Sequence, residues 1–368
     1  MAASAPQLSG IQILRGIAAV GVVIQHAFGH SFLVEPGTAN HGWLATVGAA
    51  GVDLFFVISG FIMLYVSFPT QSAPLKPGQF LLRRITRIYP FYWICSLAVA
   101  LPWMVGFLSS KPFTAGTVTK SLLLVPVPVT EQLIAVSWTL SYEMLFYLVF
   151  AGTLLFRSRV VSALLSTFVI IAVILIGSRL PVGEMKRFLA NPVMVEFCFG
   201  LLLALAWSRG VRATSVVWMV AGFLVIMIAP LVLEGRTLAT WPSVIIWPSV
   251  ARPLAWGVPS VAVLAGFLAI APARNLGTRF AILVGDASYA IYLTHLFFVS
   301  VSGRLIETTV VGKLPQFVVV PVVIALCVAI GIAVHIVIET PVLALVRNFS
   351  RSRQRRILAG KSAPGSSG

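Results

Sequence analysis

The stretch "LRGIAAVGVVIQHAFGH", Leu14 to His30, is almost entirely apolar, yet an arginine stands near its start and two histidines near its end. Arg15 and His26 are eleven residues apart. At about 100° per residue, a helix brings such a pair back to within about 20° of one face, roughly 16 Å apart along the axis. One face then joins a positive charge near one end to an imidazole deep toward the other. That layout suits a long anionic ligand reaching into a helical bundle.

The rest of the chain places that helix in a membrane. Of 368 residues, 59% are hydrophobic and 10% charged, and the mean hydropathy is +1.00. A soluble domain is about 25% charged. Ten acidic residues cannot cover a water-facing surface of this size. The net charge of +16 would suggest nucleic acid in a soluble protein, but here the basic residues fill short gaps between apolar runs, and no recognition motif accompanies them. Membrane topology explains them, and no nucleic-acid partner is expected.

A span needs about 20 apolar residues. Candidates lie at 10–30, 44–66, 85–106, 137–156, 160–178, 190–208, 213–233, 252–271, 280–301 and 317–346. The expected fold is therefore an all-α integral membrane bundle of about ten transmembrane helices, as one domain over 1–346. A basic, flexible cytoplasmic tail follows over 347–368, where "RNFSRSRQRR" suits anionic headgroups. Placing the N-terminus in the cytoplasm puts most of the 26 basic residues inside, so both termini are expected there. The first run is too long for a signal-peptide core and reads as a retained helix. "LLLVPVPV", Leu122 to Val129, is too short and proline-rich to span and reads as a re-entrant or surface segment.

Ionisable groups inside such helices are functional candidates by default. Asp53, Glu143 and Glu339 are acids within apolar runs, and His295 lies in "SYAIYLTHLF". Counting along the helices puts Glu143 about 9 Å from its outer end and His26 about 6 Å from its own. His295, about 22 Å along an outward-running helix, reaches a comparable level. In "LLRRITRIYPFYW", Arg83, Arg84 and Arg87 share one side of a helix at the cytoplasmic entrance. They are either positive-inside anchors or a phosphate site. His26 is either an interhelical hydrogen-bonding group or a catalyst, and His295 either contacts substrate or positions a neighbour. Asp53 and Glu339 read as structural, and His30 and His41 as solvated loop residues. Cys95, Cys198 and Cys327 read as small buried hydrophobes, and no metal-ligand spacing occurs. Signatures of soluble enzymes such as G-x-S-x-G, H-E-x-x-H and the P-loop are missing.

Taken in order, five stretches resemble the acyltransferase-3 family of integral membrane acyltransferases: the Arg-x10-His pattern of Arg15 and His26, "GVDLFFVISGF", "FLLRRITRIYPFYW", "SWTLSYEMLFYL" and "YAIYLTHLF". "IETP", Ile338 to Pro341, resembles the family's final motif, and "GIQILRGIAAV" is similar to exopolysaccharide O-acetyltransferases of the ExoZ type. The resemblance implies acyl transfer from cytoplasmic acyl-CoA, usually acetyl-CoA, to a hydroxyl of an extracytoplasmic or lipid-linked glycan at the bacterial inner membrane. Arg15, Arg83, Arg84 and Arg87 would then bind the CoA phosphates. His26 would act as general base with Glu143 orienting it, or as a transient acyl carrier. Trp138 and Tyr142 are either sugar platforms, with His295 beside them, or an interface belt. The SGNH domain fused to some family members finds no room here. A glycan or lipid transporter or flippase is the rival reading; it would more often show paired, interrupted helices in two related halves, which are not seen.

Overall fold

The computed structural model describes residues 9–29, 39–69, 72–104, 113–211, 216–233, 249–269, 275–309 and 314–349. Among the described residues the chain is helical and has no strand. The helices are α1 (Ser9–Gly29), α2 (Ala39–Gly48), α3 (Ala50–Ser67), α4 (Pro77–Met104), α5 (Ala115–Leu122), α6 (Trp138–Thr153), α7 (Arg159–Ser178), α8 (Glu184–Leu189) and α9 (Val195–Ser208). There follow α10 (Val216–Val232), α11 (Val258–Ala269), α12 (Leu276–Asp286), α13 (Ser288–Thr308) and α14 (Gln316–Val334). A wide π turn, Pro253–Gly257, leads into α11, and another, His335–Glu339, follows α14.

Seven helical segments among the described residues are long and apolar enough to cross a membrane: Ser9–Gly29, Trp43–Ser67, Ala135–Phe156, Arg159–Ser178, Glu184–Ser208, Ser288–Ile306 and Gln316–Phe349. Two further apolar helices, Val216–Val232 and Pro253–Ala269, are shorter. The expected ninth span, 280–301, is interrupted: α12 ends at Asp286 and α13 begins at Ser288. Residues 350–368 and His30 lie outside the described residues, as does the side chain of His41.

Sequence pattern explains which faces turn inward. On α7, Leu164, Phe168, Ile171 and Leu175 recur at helical spacing and are exposed, as a lipid-facing stripe would be. The opposite face buries Ser162, Ala163, Ser166 and Ile170. Its hydroxyls are satisfied across the interface: Ser162 donates to the Thr153 carbonyl at 3.1 Å, and Ser166 Oγ lies 3.1 Å from Thr153 Oγ1. Buried hydroxyls without such partners would destabilise the packing.

α1 is packed by α2, α3, α12, α13 and α14. The most extensive packing joins α3 to α9. A Cβ at Gly60 would strike the Phe197 carbonyl, and one at Gly200 the Val57 carbonyl. Only hydrogen side chains permit that approach. Beside it, Phe197 stacks on Phe146 and packs on Phe56, each at 4.5 Å between ring centroids. Gly200→Val is therefore expected to lower the thermal midpoint in detergent by overpacking, at a cost of about 1–3 kcal/mol. An unchanged midpoint would show that the crossing can slide open.

The "LLLVPVPV" segment does not span. α5 ends at Leu122, and the chain turns with Leu124 in the left-handed region, φ 58°. It is pinned against α4 by Tyr92, Trp93 and Tyr89, which donate to the carbonyls of Ser121, Leu122 and Leu123 at 2.6, 2.9 and 3.1 Å. Cys95, Cys198 and Cys327 are buried thiols without a disulfide.

Candidate active site

Two cavities are stacked along the bundle. The larger, about 410 Å³, is bounded by the first half of α1, α3, the first half of α4, α6 and the start of α13. Its wall carries Arg15, Arg84 and Arg87 but one carboxylate, Glu143, together with the hydroxyls of Ser59, Tyr147, Tyr289 and Tyr292. Helical spacing supplies most of this set. Gln12 and Arg15 are three apart on α1, and Arg15 Nη1 donates to Gln12 Oε1 at 3.0 Å. Arg84 and Arg87 are likewise three apart on α4, and Arg83 is exposed and is not among the residues lining the chamber.

Arg84 is held by rings rather than acids. Its guanidinium lies 5.5 Å from the centroid of Phe80 and 5.7 Å from that of Tyr147. Its Nε is buried and has no hydrogen-bond partner among the described residues. A buried cationic N–H of this kind calls for an anionic acceptor. Glu143 makes no hydrogen bond to it; its Oε1 accepts from Ser59 at 3.2 Å and from the Tyr147 hydroxyl. Glu143 thus belongs to the arginine chamber, and its hydrogen bonds do not run to His26.

The smaller cavity, about 10 Å³, lies beyond Tyr292 and Val52, which line both spaces. Its wall includes Gln25, His26, Trp138 and Arg252. The Tyr292 hydroxyl is 2.8 Å from Thr139 Oγ1 and donates to the Val136 carbonyl at 3.1 Å, so the ring is fixed as a divider.

His26 meets His295 here. Their ring centroids are 4.9 Å apart, and His295 Nε2 is 3.2 Å from His26 Nδ1. Tautomers follow from the neighbours. His295 Nδ1 faces the carbonyls of Tyr292 at 2.8 Å and Ile291 at 3.2 Å, both acceptors, so it carries the proton. With both rings neutral, His295 Nε2 is then an acceptor too. His26 Nδ1 faces that nitrogen and the Val22 carbonyl at 2.9 Å, so it is the donor. The lone pair of His26 is thereby placed on Nε2. The fully buried His295 and the Val22 carbonyl together hold the tautomer and ring orientation of His26.

Trp138 and Tyr142 are both buried. Tyr142 stacks on Phe188 at 4.3 Å, and Trp138 lies between the histidine cavity and a further one of about 20 Å³ lined by Gln132, Ser141 and Glu184. Asp53 is fully buried and is gripped by Arg252, whose Nε and Nη2 donate to its two oxygens at 3.0 and 2.8 Å. Glu196, also fully buried, lies beside this pair. Glu339 is buried against His335 at 2.8 Å. No cluster of metal-ligand type occurs among the described residues.

Sequence reasoning missed Tyr147, Tyr292, Arg252 and Glu196. Tyr147 stands four residues from Glu143, a readable signal. Glu196, in "VMVEFCFG", is an acid in an apolar run and was equally readable. Nothing local marks Arg252, whose partner lies 199 positions away.

The multi-pass helical bundle thus sets a cationic chamber beside a buried, oriented imidazole. Comparison with known proteins makes the class specific: residues 8–336 match the acyltransferase domain Acyl_transf_3, and the chain belongs to this acyltransferase-3 family of membrane acyltransferases. It is 32% identical to the exopolysaccharide production protein ExoZ of Rhizobium meliloti, over 86% of this chain and 94% of that one. It is 26% identical to the acyltransferase MdmB of Streptomyces mycarofaciens, over 93% and 92% of the two chains. No solved structure matches.

Proposed function

We propose that this acyltransferase moves acetyl from cytoplasmic acetyl-CoA to a hydroxyl of an extracytoplasmic or lipid-linked glycan, an exopolysaccharide in particular. The observation that carries the reading is the stacking of the two cavities, with the arginine chamber on one side of Tyr292 and the oriented His26 on the other. The similarity to an exopolysaccharide production protein of Rhizobium meliloti supports the acceptor class. In this reading the bundle sits in the bacterial cytoplasmic membrane with ten spans and both termini inside. CoA phosphates engage Arg84, Arg87 and Arg15, and the thioester reaches His26 past Tyr292.

His26 Nε2 removes the proton from the acceptor hydroxyl, and the oxygen attacks the thioester carbonyl carbon. The C–S bond then breaks, and the CoA thiolate takes up the proton. His295 positions His26, and Glu143 organises the chamber. The acceptor enters from the outer side, past Trp138.

The test is the O-acetyl content of the exopolysaccharide, read by proton NMR from cells with and without this protein. The acetyl signals are expected to vanish without it. Unchanged acetylation, with no acetyl-CoA turnover by the purified protein, would return the chain to the rival reading of glycan transport.

A further inference from the structure

We infer that Arg252 is a catalytic residue, the group that faces the carbonyl oxygen of the acyl donor as it becomes an oxyanion. The inference rests on the acyl-transfer reading above. Arg252 precedes the π turn Pro253–Gly257, and this residue does two things at once. It grips Asp53 through Nε and Nη2, and it forms part of the wall of the cavity that His26 lines.

An ion pair made only to neutralise Asp53 has no need to reach that cavity. The space there, about 10 Å³, admits one small group, and His26 and Arg252 both border it. The cation is also fixed before any substrate arrives. It is 2% exposed, donates to the Ala49 carbonyl at 3.3 Å, and lies 5.1 Å from the ring centroid of Trp256. A preorganised, buried cation is the arrangement that stabilises developing negative charge most strongly.

The step balances as follows. The acceptor oxygen forms its bond to the carbonyl carbon while His26 takes the hydroxyl proton. The carbonyl π electrons move onto oxygen, facing Arg252. They return as the C–S bond breaks, and the thiolate collects the proton from His26. Asp53 touches none of these atoms and is the positioning residue for Arg252.

Removing Arg252 alone would strand the Asp53 charge, so the informative variant neutralises both: Asp53→Asn with Arg252→Gln. It is expected to keep a near wild-type thermal midpoint in detergent and wild-type affinity for acetyl-CoA, with kcat lowered about 10²–10³-fold. Recovery of kcat to within a few-fold of wild type would make the pair structural and overturn the inference. Should the double variant not fold, Arg252→Lys decides. It keeps the charge on Asp53 but lacks the planar fork, and is expected to lower kcat at least about tenfold with KM for acetyl-CoA unchanged. Wild-type kcat in that variant would overturn the inference equally. Failure of the acyl-transfer reading looks different: wild-type protein would then turn over no acetyl-CoA.

Discussion

Replacing His26 by alanine is expected to lower kcat for acetyl transfer by about 10²–10⁴-fold while leaving affinity for acetyl-CoA unchanged. The two halves of this result come from different parts of the structure. His26 lines the small cavity, whereas the arginines line the large one. His295→Ala should have a smaller effect on kcat, because the Val22 carbonyl still accepts from His26 Nδ1 and preserves the tautomer. Turnover measured at matched protein levels in membranes checks both. Wild-type turnover in His26→Ala would remove the imidazole from the chemistry.

Arg84→Ala combined with Arg87→Ala is expected to weaken acetyl-CoA binding roughly 100-fold. Charge-assisted hydrogen bonds contribute about 1.5–3 kcal/mol each, and about 1.4 kcal/mol is tenfold in affinity. Arg83→Ala is the internal control. Its side chain is exposed and outside the chamber, so its affinity should match wild type. Isothermal titration at two salt concentrations separates the cases, since a lost phosphate contact also flattens the salt dependence. Equal losses from Arg83 and from the Arg84–Arg87 pair would reduce all three to topology anchors.

How far the site could be read in advance depended on the kind of neighbour involved. The shared face of Arg15 and His26 is a matter of helical period, and the structure lines the stacked cavities with both residues along α1. Depth along a helix was a weaker guide. It put Glu143 and His26 at similar levels, but depth does not say toward which neighbour a side chain turns. In the structure Glu143 turns to Ser59 and Tyr147, and His295 takes the place beside His26. The arginine run was ambiguous for a similar reason. Spacings of three and four both share a face, and packing of Arg84 on Phe80 and Tyr147 selects Arg84 over Arg83. Trp138 and Tyr142 read from sequence as sugar platforms or an interface belt, and in the fold both are buried. The Asp53–Arg252 pair joins distant helices and leaves no periodic trace, so only the folded chain reveals it.

The central claim is that acetyl crosses the membrane through this one protein, from a donor on the cytoplasmic side to an acceptor on the other. Sealed vesicles of known orientation test it directly. Radiolabelled acetyl-CoA is supplied on the cytoplasmic face, and a glycan acceptor is confined to the opposite compartment. The account predicts labelled acceptor in wild-type vesicles and none with His26→Ala. Labelling only when donor and acceptor share a compartment would contradict it.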